Sequence, residues 1–486
     1  MAADETPLND EAASASRPRA FGRALLKRFR QSLARRRRRT AQLSRHSLRF
    51  AVFLGGAACV ALVALAFAWL AEIMLNLNQR LTHAYWWSAL VLAPAGFAAL
   101  RWLTIRMAPQ TRGSGIPQVI AAMAMPPGPA QTVLVSLRQS VWKIILTAGG
   151  MLVGASVGRE GPSVQVGAAV MLAWGRWWQG RLVIGFRPET LIAVGAAGGL
   201  SAAFNTPLAG VVFAIEELSR GTAMRWDRLV LSGVLAAGFL SLAMLGNHTY
   251  FRLTYSILAL HTSWIAVVLC ALVNGALGGL FAKLLTIGPA GVLPQRWRGL
   301  PAQRPIVVAA VCGLLVALFG IAAGGATYGT GYDQAAALLN GEAGPGLGFG
   351  LAKLGATIAS YFAGIPGGIF TPSLAIGAGI GNNIASLLPG EVDARLVALL
   401  SMAAFLAAAT QAPITASVIV MEMTRGHDLT LLLLATTLGA SFVSRQFCPR
   451  PFYHAVARRF RREAEILQHP VEVKAPPPTS PPPSKA

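Results

Sequence analysis

Glu160 stands beside Arg159 in "GREGPSVQVGAAV" (Gly158 to Val170), and the residues leading up to it, Ile144 to Val157, carry no charge. An ionised side chain is costly in hydrocarbon, so one placed there marks an ion or proton route; the plainer reading is a loop carboxylate paired with Arg159. A second acidic pair, Glu216 and Glu217, closes "PLAGVVFAIEE" (Pro207 to Glu217). A carboxylate beside a conduction path can occupy an anion's place, and it can carry a proton.

The surroundings of these acids recur. Lys143 to Ala168, "KIILTAGGMLVGASVGREGPSVQVGA", aligns with Lys353 to Ala378, "KLGATIASYFAGIPGGIFTPSLAIGA", at a constant offset of 210. Matches of Gly and Ala are cheap in this composition, but Lys143 with Lys353 and Pro162-Ser163 with Pro372-Ser373 are not. The stretch from Pro207 pairs likewise with "PITASVIVMEM" from Pro413, at an offset of 206. Glu216 then falls opposite Glu422, whereas Glu217 falls opposite Met423 and Glu160 opposite Phe370. Symmetry accounts for Glu216. Glu217 needs a separate reason, either proton entry or an ordinary acidic residue at a helix mouth.

The elements that would position these groups are helices with interruptions. Related halves with breaks at matching places point to a substrate site near the bilayer midplane. Helix N-termini carry unpaired N–H groups and partial positive charge, and glycine-rich openings followed by proline, as in "REGPS" and "IFTPS", suit such starts. Two of them converging from opposite sides form an anion cradle with no full positive charge. An ion bound there can still leave. The pattern favours anions over cations.

Composition sets the scaffold. The chain of 486 residues is 54% hydrophobic and 13% charged, which excludes an ordinary soluble protein and predicts an all-α polytopic membrane protein. Phe50 to Leu70, Ala89 to Leu100, Leu229 to Leu245, Trp264 to Leu285 and Ile306 to Ala323 are long apolar tracts, several near the roughly 20 residues that cross a bilayer. Ala168 to Trp174 and Thr371 to Ala378 are shorter, with Gly or Pro within or beside them, and read as broken or partial helices. The net charge of +23 is concentrated in a basic arm over residues 1–49, including the run Arg35 to Arg39, and near the C-terminus at Arg450, Arg458, Arg459, Arg461 and Arg462. Next to spanning helices such charge reads as cytoplasmic flank beside anionic lipid, not as a nucleic-acid arm. Both termini are therefore expected in the cytoplasm. The predicted organisation is the arm, a membrane domain over 50–462 in two halves (about 50–250 and about 260–462), and a disordered proline-rich tail over 463–486. No cleavable signal peptide is expected ahead of the first apolar segment. Cys59, Cys270, Cys312 and Cys448 are scattered and suggest neither a metal site nor a disulfide framework.

Taken together, "GSGIPQ" (Gly113 to Gln118), "GREGP" (Gly158 to Pro162), "AAFNTPLAGVVFAIEE" (Ala202 to Glu217) and "GGIFTP" (Gly367 to Pro372) resemble the CLC chloride channel and chloride/proton antiporter family. The resemblance spans roughly residues 50 to 460, with the motifs in order. It implies two inverted structural repeats of tilted and broken helices, and a homodimer with one pore per subunit in a bacterial inner membrane. It also implies that the hydroxyls of Ser114 and Tyr453 and the backbone N–H groups of Ile369 and Phe370 contact a central chloride. The amides of Gly113 and Ser114 would line an inner site, and those from Arg159 to Gly161 an outer one. Glu160 matches the family's gating glutamate and Glu217 its internal proton-transfer glutamate, with Lys143 at a buried basic position that tunes the pore. Lys353 would stabilise broken-helix carbonyls equally well. Serine at position 114 goes with chloride preference in the family, and a titratable group at position 217 goes with exchange. The stretch after Tyr453 is too short for the paired nucleotide-sensing domains of many eukaryotic members. The resemblance thus implies chloride/proton exchange without a cofactor, with a passive chloride channel of the same fold as the alternative.

Two further motifs offer weaker readings. "GASVG" (Gly154 to Gly158) fits the G-x-S-x-G elbow of a serine hydrolase, which requires a strand-turn-helix setting and a partnered histidine for Ser156. "TYGTGYD" (Thr327 to Asp333) is similar to a carbonyl-lined cation filter, although it occurs once and without a pore loop.

Overall fold

The computed structural model describes residues 17–181, 185–220, 228–246, 251, 260–342, 344–388 and 392–468. Residues 1–53 and 54–486 form separate compact units. The first sixteen residues of the basic arm and residues 469–486 of the proline-rich tail lie outside the described residues. Among the described residues there are helices and isolated β-bridges but no strand.

In chain order the helices are α1 (Arg17–Ala84), α2 (Ser88–Met107), α3 (Ile116–Met123), α4 (Pro129–Leu134), α5 (Leu137–Leu152), α6 (Glu160–Gln179) and α7 (Pro188–Phe204). They continue as α8 (Pro207–Phe213), α9 (Arg228–Leu245), α10 (Leu260–Val292), α11 (Leu300–Gln303), α12 (Pro305–Ala322) and α13 (Tyr332–Asn340). The last six are α14 (Phe349–Phe362), α15 (Phe370–Ala385), α16 (Ala394–Thr410), α17 (Pro413–Thr424), α18 (Thr430–Phe447) and α19 (Phe452–Gln468). Among the described residues five stretches are long and apolar enough to cross a membrane: Ser47–Ala84, Ser88–Met107, Trp264–Val292, Pro305–Ala322 and His427–Phe447. The boundary predicted at residue 463 falls inside α19, which runs to Gln468, because Ala464 still packs in the interior on the same stripe as Val456 and Phe460.

One expectation about the breaks is corrected. Ala168 to Trp174 and Thr371 to Ala378 are not themselves broken: they lie inside the continuous helices α6 and α15. The interruptions precede them, between Leu152 and Glu160 and between Phe362 and Phe370. Glycine in the left-handed region turns the chain at matching places there, at Gly154 (φ 82) and Gly364 (φ 68), a conformation costly for other residues.

The repeat read from sequence is also structural. The pair α5–α6 corresponds to α14–α15, and α7–α8 to α16–α17. Even the left-handed residues ending α7 and α16 match, Asn205 (φ 56) and Gln411 (φ 59). Within each half the helices pack backbone to backbone. A Cβ at Gly167 of α6 would collide with the Gly195 carbonyl of α7, and one at Gly377 of α15 with the Ser401 carbonyl of α16. Close packing of this kind is what small residues provide where lipid removes the hydrophobic drive.

Candidate functional site

Three helix starts meet in the interior. The strand-like residues before them are tied by backbone hydrogen bonds. Gly158 and Gly368 exchange N–H···O bonds of 2.8 and 2.7 Å, and Gly113 donates to the Ile365 carbonyl and accepts from Gly367 N, each at 3.1 Å. These bridges place the tips of α3, α6 and α15 side by side. The first helical bonds of the two repeat-related tips are Ser163 N to Arg159 O and Ser373 N to Ile369 O, each 2.9 Å. The amides ahead of them have no intrahelical acceptor, which is the general condition of a helix start.

Ser114 and Tyr453 complete this cradle. Both are buried, and neither hydroxyl makes a hydrogen bond of full geometry, although the two interact with each other. The Tyr453 ring stacks on Phe370, with centroids 6.0 Å apart and planes 12° from parallel. Gly161 is what lets the α6 tip approach Ser114: a Cβ there would collide with Ser114 Oγ and lie 2.9 Å from its carbonyl oxygen. The structure thus brings together Gly113, Ser114, Arg159, Gly161, Ile369, Phe370 and Tyr453. Their donors are hydroxyls and amides, which suit an anion without importing a full charge.

Glu160 opens α6 and is fully buried, with no hydrogen-bond partner for either carboxylate oxygen. Its carboxylate folds back against Gly158, where an added Cβ would collide with Oε2. The salt bridge to Arg159 does not form. That guanidinium donates instead to the Ala68 carbonyl at 2.6 Å and lines a cleft of about 260 Å³ with Glu72, Tyr332 and Asp333.

The second acidic pair divides in an informative way. Glu216 accepts from the backbone N–H groups of Ile414 (3.2 Å) and Thr415 (2.6 Å) at the start of α17. Its repeat partner Glu422 accepts from Leu208 (3.0 Å) and Ala209 (2.8 Å) at the start of α8. Each short helix is capped by the other's carboxylate, a reciprocal clamp of charge-assisted bonds. Glu216 is therefore a structural group. Glu217, one residue on, has no hydrogen bond to its carboxylate and is buried. It sits in a π-helical turn, Ala214–Leu218, that its counterpart in α17 lacks. A π-turn inserts a residue and re-aims side chains, and such turns concentrate at functional sites.

Tyr453 lies within electrostatic reach of both Glu160 and Glu217. Phe204 and Phe213 pack against Phe370, with ring centroids 6.1 and 6.3 Å away. These two rings were passed over in the sequence because apolar side chains carry no chemical signal. His454 was missed for another reason, being a lone histidine beyond the motifs. Its Nε2 lies 3.4 Å from Glu217 Oε1 and 3.3 Å from the Glu217 carbonyl oxygen. It is half-buried, whereas Glu217 is buried.

The two buried lysines do matched work. Lys143 Nζ donates to the carbonyls of Thr111 (2.7 Å) and Gly113 (2.6 Å), and Lys353 Nζ to those of Thr327 (2.8 Å) and Gly329 (2.7 Å). Lys143 thereby holds the loop that carries Ser114. Lys353 ties down the carbonyls of "TYGTGYD", so Thr327 and Gly329 line no cation filter. Among the described residues the Ser156 hydroxyl pairs with Thr357 Oγ1 and donates to no imidazole; its backbone N–H donates to Ser360 Oγ. That arrangement gives a hydrolase no base. Among the described residues no cluster of His, Cys, Asp or Glu could hold a metal ion.

Comparison with known proteins follows the same line. The family profile described as voltage gated chloride channel matches residues 95–445. The H(+)/Cl(-) exchange transporter ClcA of Cronobacter sakazakii is 32% identical over 431 residues, covering 82% of this chain and 86% of that protein. Its namesake in Klebsiella pneumoniae (strain 342) is 32% identical over 405 residues, covering 78% and 79%. The crystal structure of a slow cyanobacterial Cl-/H+ antiporter superposes with a TM-score of 0.71 at 24% identity, covering 85% of this chain and 98% of the other. A CLC-type fluoride/proton antiporter gives a TM-score of 0.67 at 23% identity, covering 82% and 96%.

Proposed function

The chain belongs to the voltage-gated chloride channel family, and we propose that it is a chloride/proton antiporter of a bacterial inner membrane. The observation that carries this reading is the Glu160 carboxylate, buried without a partner at the tips of α6 and α15. In the proposed cycle chloride is held by Ser114, Tyr453 and the amides around Gly161, Ile369 and Phe370. Ion and carboxylate are both anionic and compete for one nest, so chloride arriving from the Gly113 side displaces Glu160 outward. There it takes a proton. Neutral Glu160 returns inward and gives its proton towards Glu217. Competition for one cavity couples the fluxes.

Orientation follows from charge. The arginines of α19 and of the basic arm over residues 1–49 support a cytoplasmic side for both termini by the positive-inside rule. The cleft of Gly113, Arg101, Arg112, Tyr361 and Arg459, about 290 Å³, is then the inner mouth. The assembly is a homodimer with one pore per subunit. Supporting it, the short helices α8 and α17 expose Leu208 and Ile414 beside the reciprocal glutamate clamp, a face that a second copy would cover.

Purified protein in liposomes tests the reading. A chloride gradient should drive protons uphill, Glu217→Gln should end proton movement while chloride flux persists, and Glu160→Ala should leave chloride flow that ignores pH. Chloride flux with no uphill protons in the parent protein would make it a passive channel and overturn the exchange reading.

A further inference from the structure

Apart from the cradle and its mouths, a larger cleft of about 590 Å³ opens where the ends of α10 and α18 meet α19. Lys283, Arg450, Arg458, Arg459 and Arg462 line it, and no carboxylate does. The acids of α19 are committed elsewhere. Glu463 holds Arg112 in a bidentate pair and Glu465 holds Arg461 at 2.8 Å. Arg459 donates to the Thr286 carbonyl at 2.6 Å. Lys283, Arg450, Arg458 and Arg462 have no acidic partner among the described residues. Like charges crowded without counter-ions repel, so their grouping needs an anion to offset it.

Its position says which anion. Lys283, Thr286 and Ile287 lie near the end of the spanning stretch Trp264–Val292, and Phe447 ends His427–Phe447. The cleft therefore sits at the level of the membrane surface. Gly288 (φ 70) breaks α10 just beyond it, followed by Pro289. On the membrane side the rim is apolar and open, with Ile287 40% and Phe447 41% exposed, and Leu280 continues two turns further into the spanning part of α10. Cations above and exposed aliphatic surface below match a phosphate headgroup with its acyl chains. Basic pockets beside spanning helices on the cytoplasmic side bind such headgroups. The inner mouth shares only Arg459 with this cleft, so chloride entry does not account for the other cations.

We infer that this cleft binds the phosphate of an anionic phospholipid, with its acyl chains lying along α10. The guanidinium groups supply paired N–H donors to phosphate oxygens, and Lys283 a point charge.

The test compares the parent protein with an Arg450→Gln/Arg458→Gln/Arg462→Gln triple variant and with Lys283→Glu. All four side chains are exposed, and retained liposome chloride flux confirms that each variant folds. Native mass spectrometry then counts phosphatidylglycerol retained in mild detergent, against phosphatidylcholine as the neutral control. Each cation removed should weaken retention about fivefold, and three of them roughly a hundredfold, with phosphatidylcholine unaffected. Equal phosphatidylglycerol retention in parent and variants would overturn the site. Displacement of the lipid by millimolar inorganic pyrophosphate in the parent, with no preference for the lipid form, would overturn the lipid as the source of the phosphate.

Discussion

Glu216 and Glu217 are neighbours of the same chemical type, yet the structure assigns them unlike work, and replacing each by glutamine separates the two. Glu216 receives two backbone N–H groups of α17 at 3.2 and 2.6 Å. Glutamine keeps one acceptor oxygen and turns an NH2 towards the other N–H, so one donor is left facing donors. A buried donor left unsatisfied costs about 1–3 kcal/mol. Because Ile414 is exposed and only Thr415 is buried, water offsets part of this, leaving about 1–2 kcal/mol. Glu422→Gln should cost a similar amount, since its bonds of 3.0 and 2.8 Å cap α8 in the same way. Glu217→Gln removes no hydrogen bond and exchanges a buried acid for a neutral group of equal size, so stability should hold or rise. The assay is reversible unfolding in mixed micelles, paired with proton and chloride flux in liposomes. Glu216→Gln and Glu422→Gln should lose stability and keep proton coupling; Glu217→Gln should do the reverse. Unchanged stability in Glu216→Gln, or proton movement lost there and kept in Glu217→Gln, would refute the division of labour.

Gly161→Ala should cut chloride turnover about five- to hundredfold, the effect of an overpacking cost of about 1–3 kcal/mol at the cradle, whereas Gly180→Ala, which meets only ordinary contacts, should leave tracer flux unchanged. Lys353→Met strands two buried carbonyls and should lower unfolding stability by about 1–3 kcal/mol without altering anion selectivity; a changed selectivity would place Lys353 in the pore. Lys143→Met should lose stability and chloride affinity together, because its Nζ holds Gly113 next to Ser114; isothermal titration with chloride measures the second. His454→Gln should lower the ratio of protons to chloride moved, since its imidazole touches the Glu217 carboxylate; an unchanged ratio would mean that His454 only packs there.

By itself the sequence determined a good deal of this. The spacing of glycines and prolines marked helix starts, the offset of 210 paired Glu160 with Phe370 and Lys143 with Lys353, and apolar length marked spanning segments. These are local properties, set by backbone sterics and by hydrophobicity, and they survive in a linear string. The location of the breaks shows where local reading stops: short apolar tracts inside α6 and α15 continue as helix because neighbouring helices cover them, which composition does not record.

Only the tertiary structure decided which groups are satisfied and which are not. Residues far apart in the chain supply the partners: Ile414 and Thr415 to Glu216, Ala68 to Arg159, Thr327 to Lys353. Acids and hydroxyls in the string look alike; folding commits Glu216 and Glu422 to backbone donors and leaves both carboxylate oxygens of Glu160 without a hydrogen bond at the cradle. A buried carboxylate without a protein partner is costly, so at Glu160 an ion or a proton belongs.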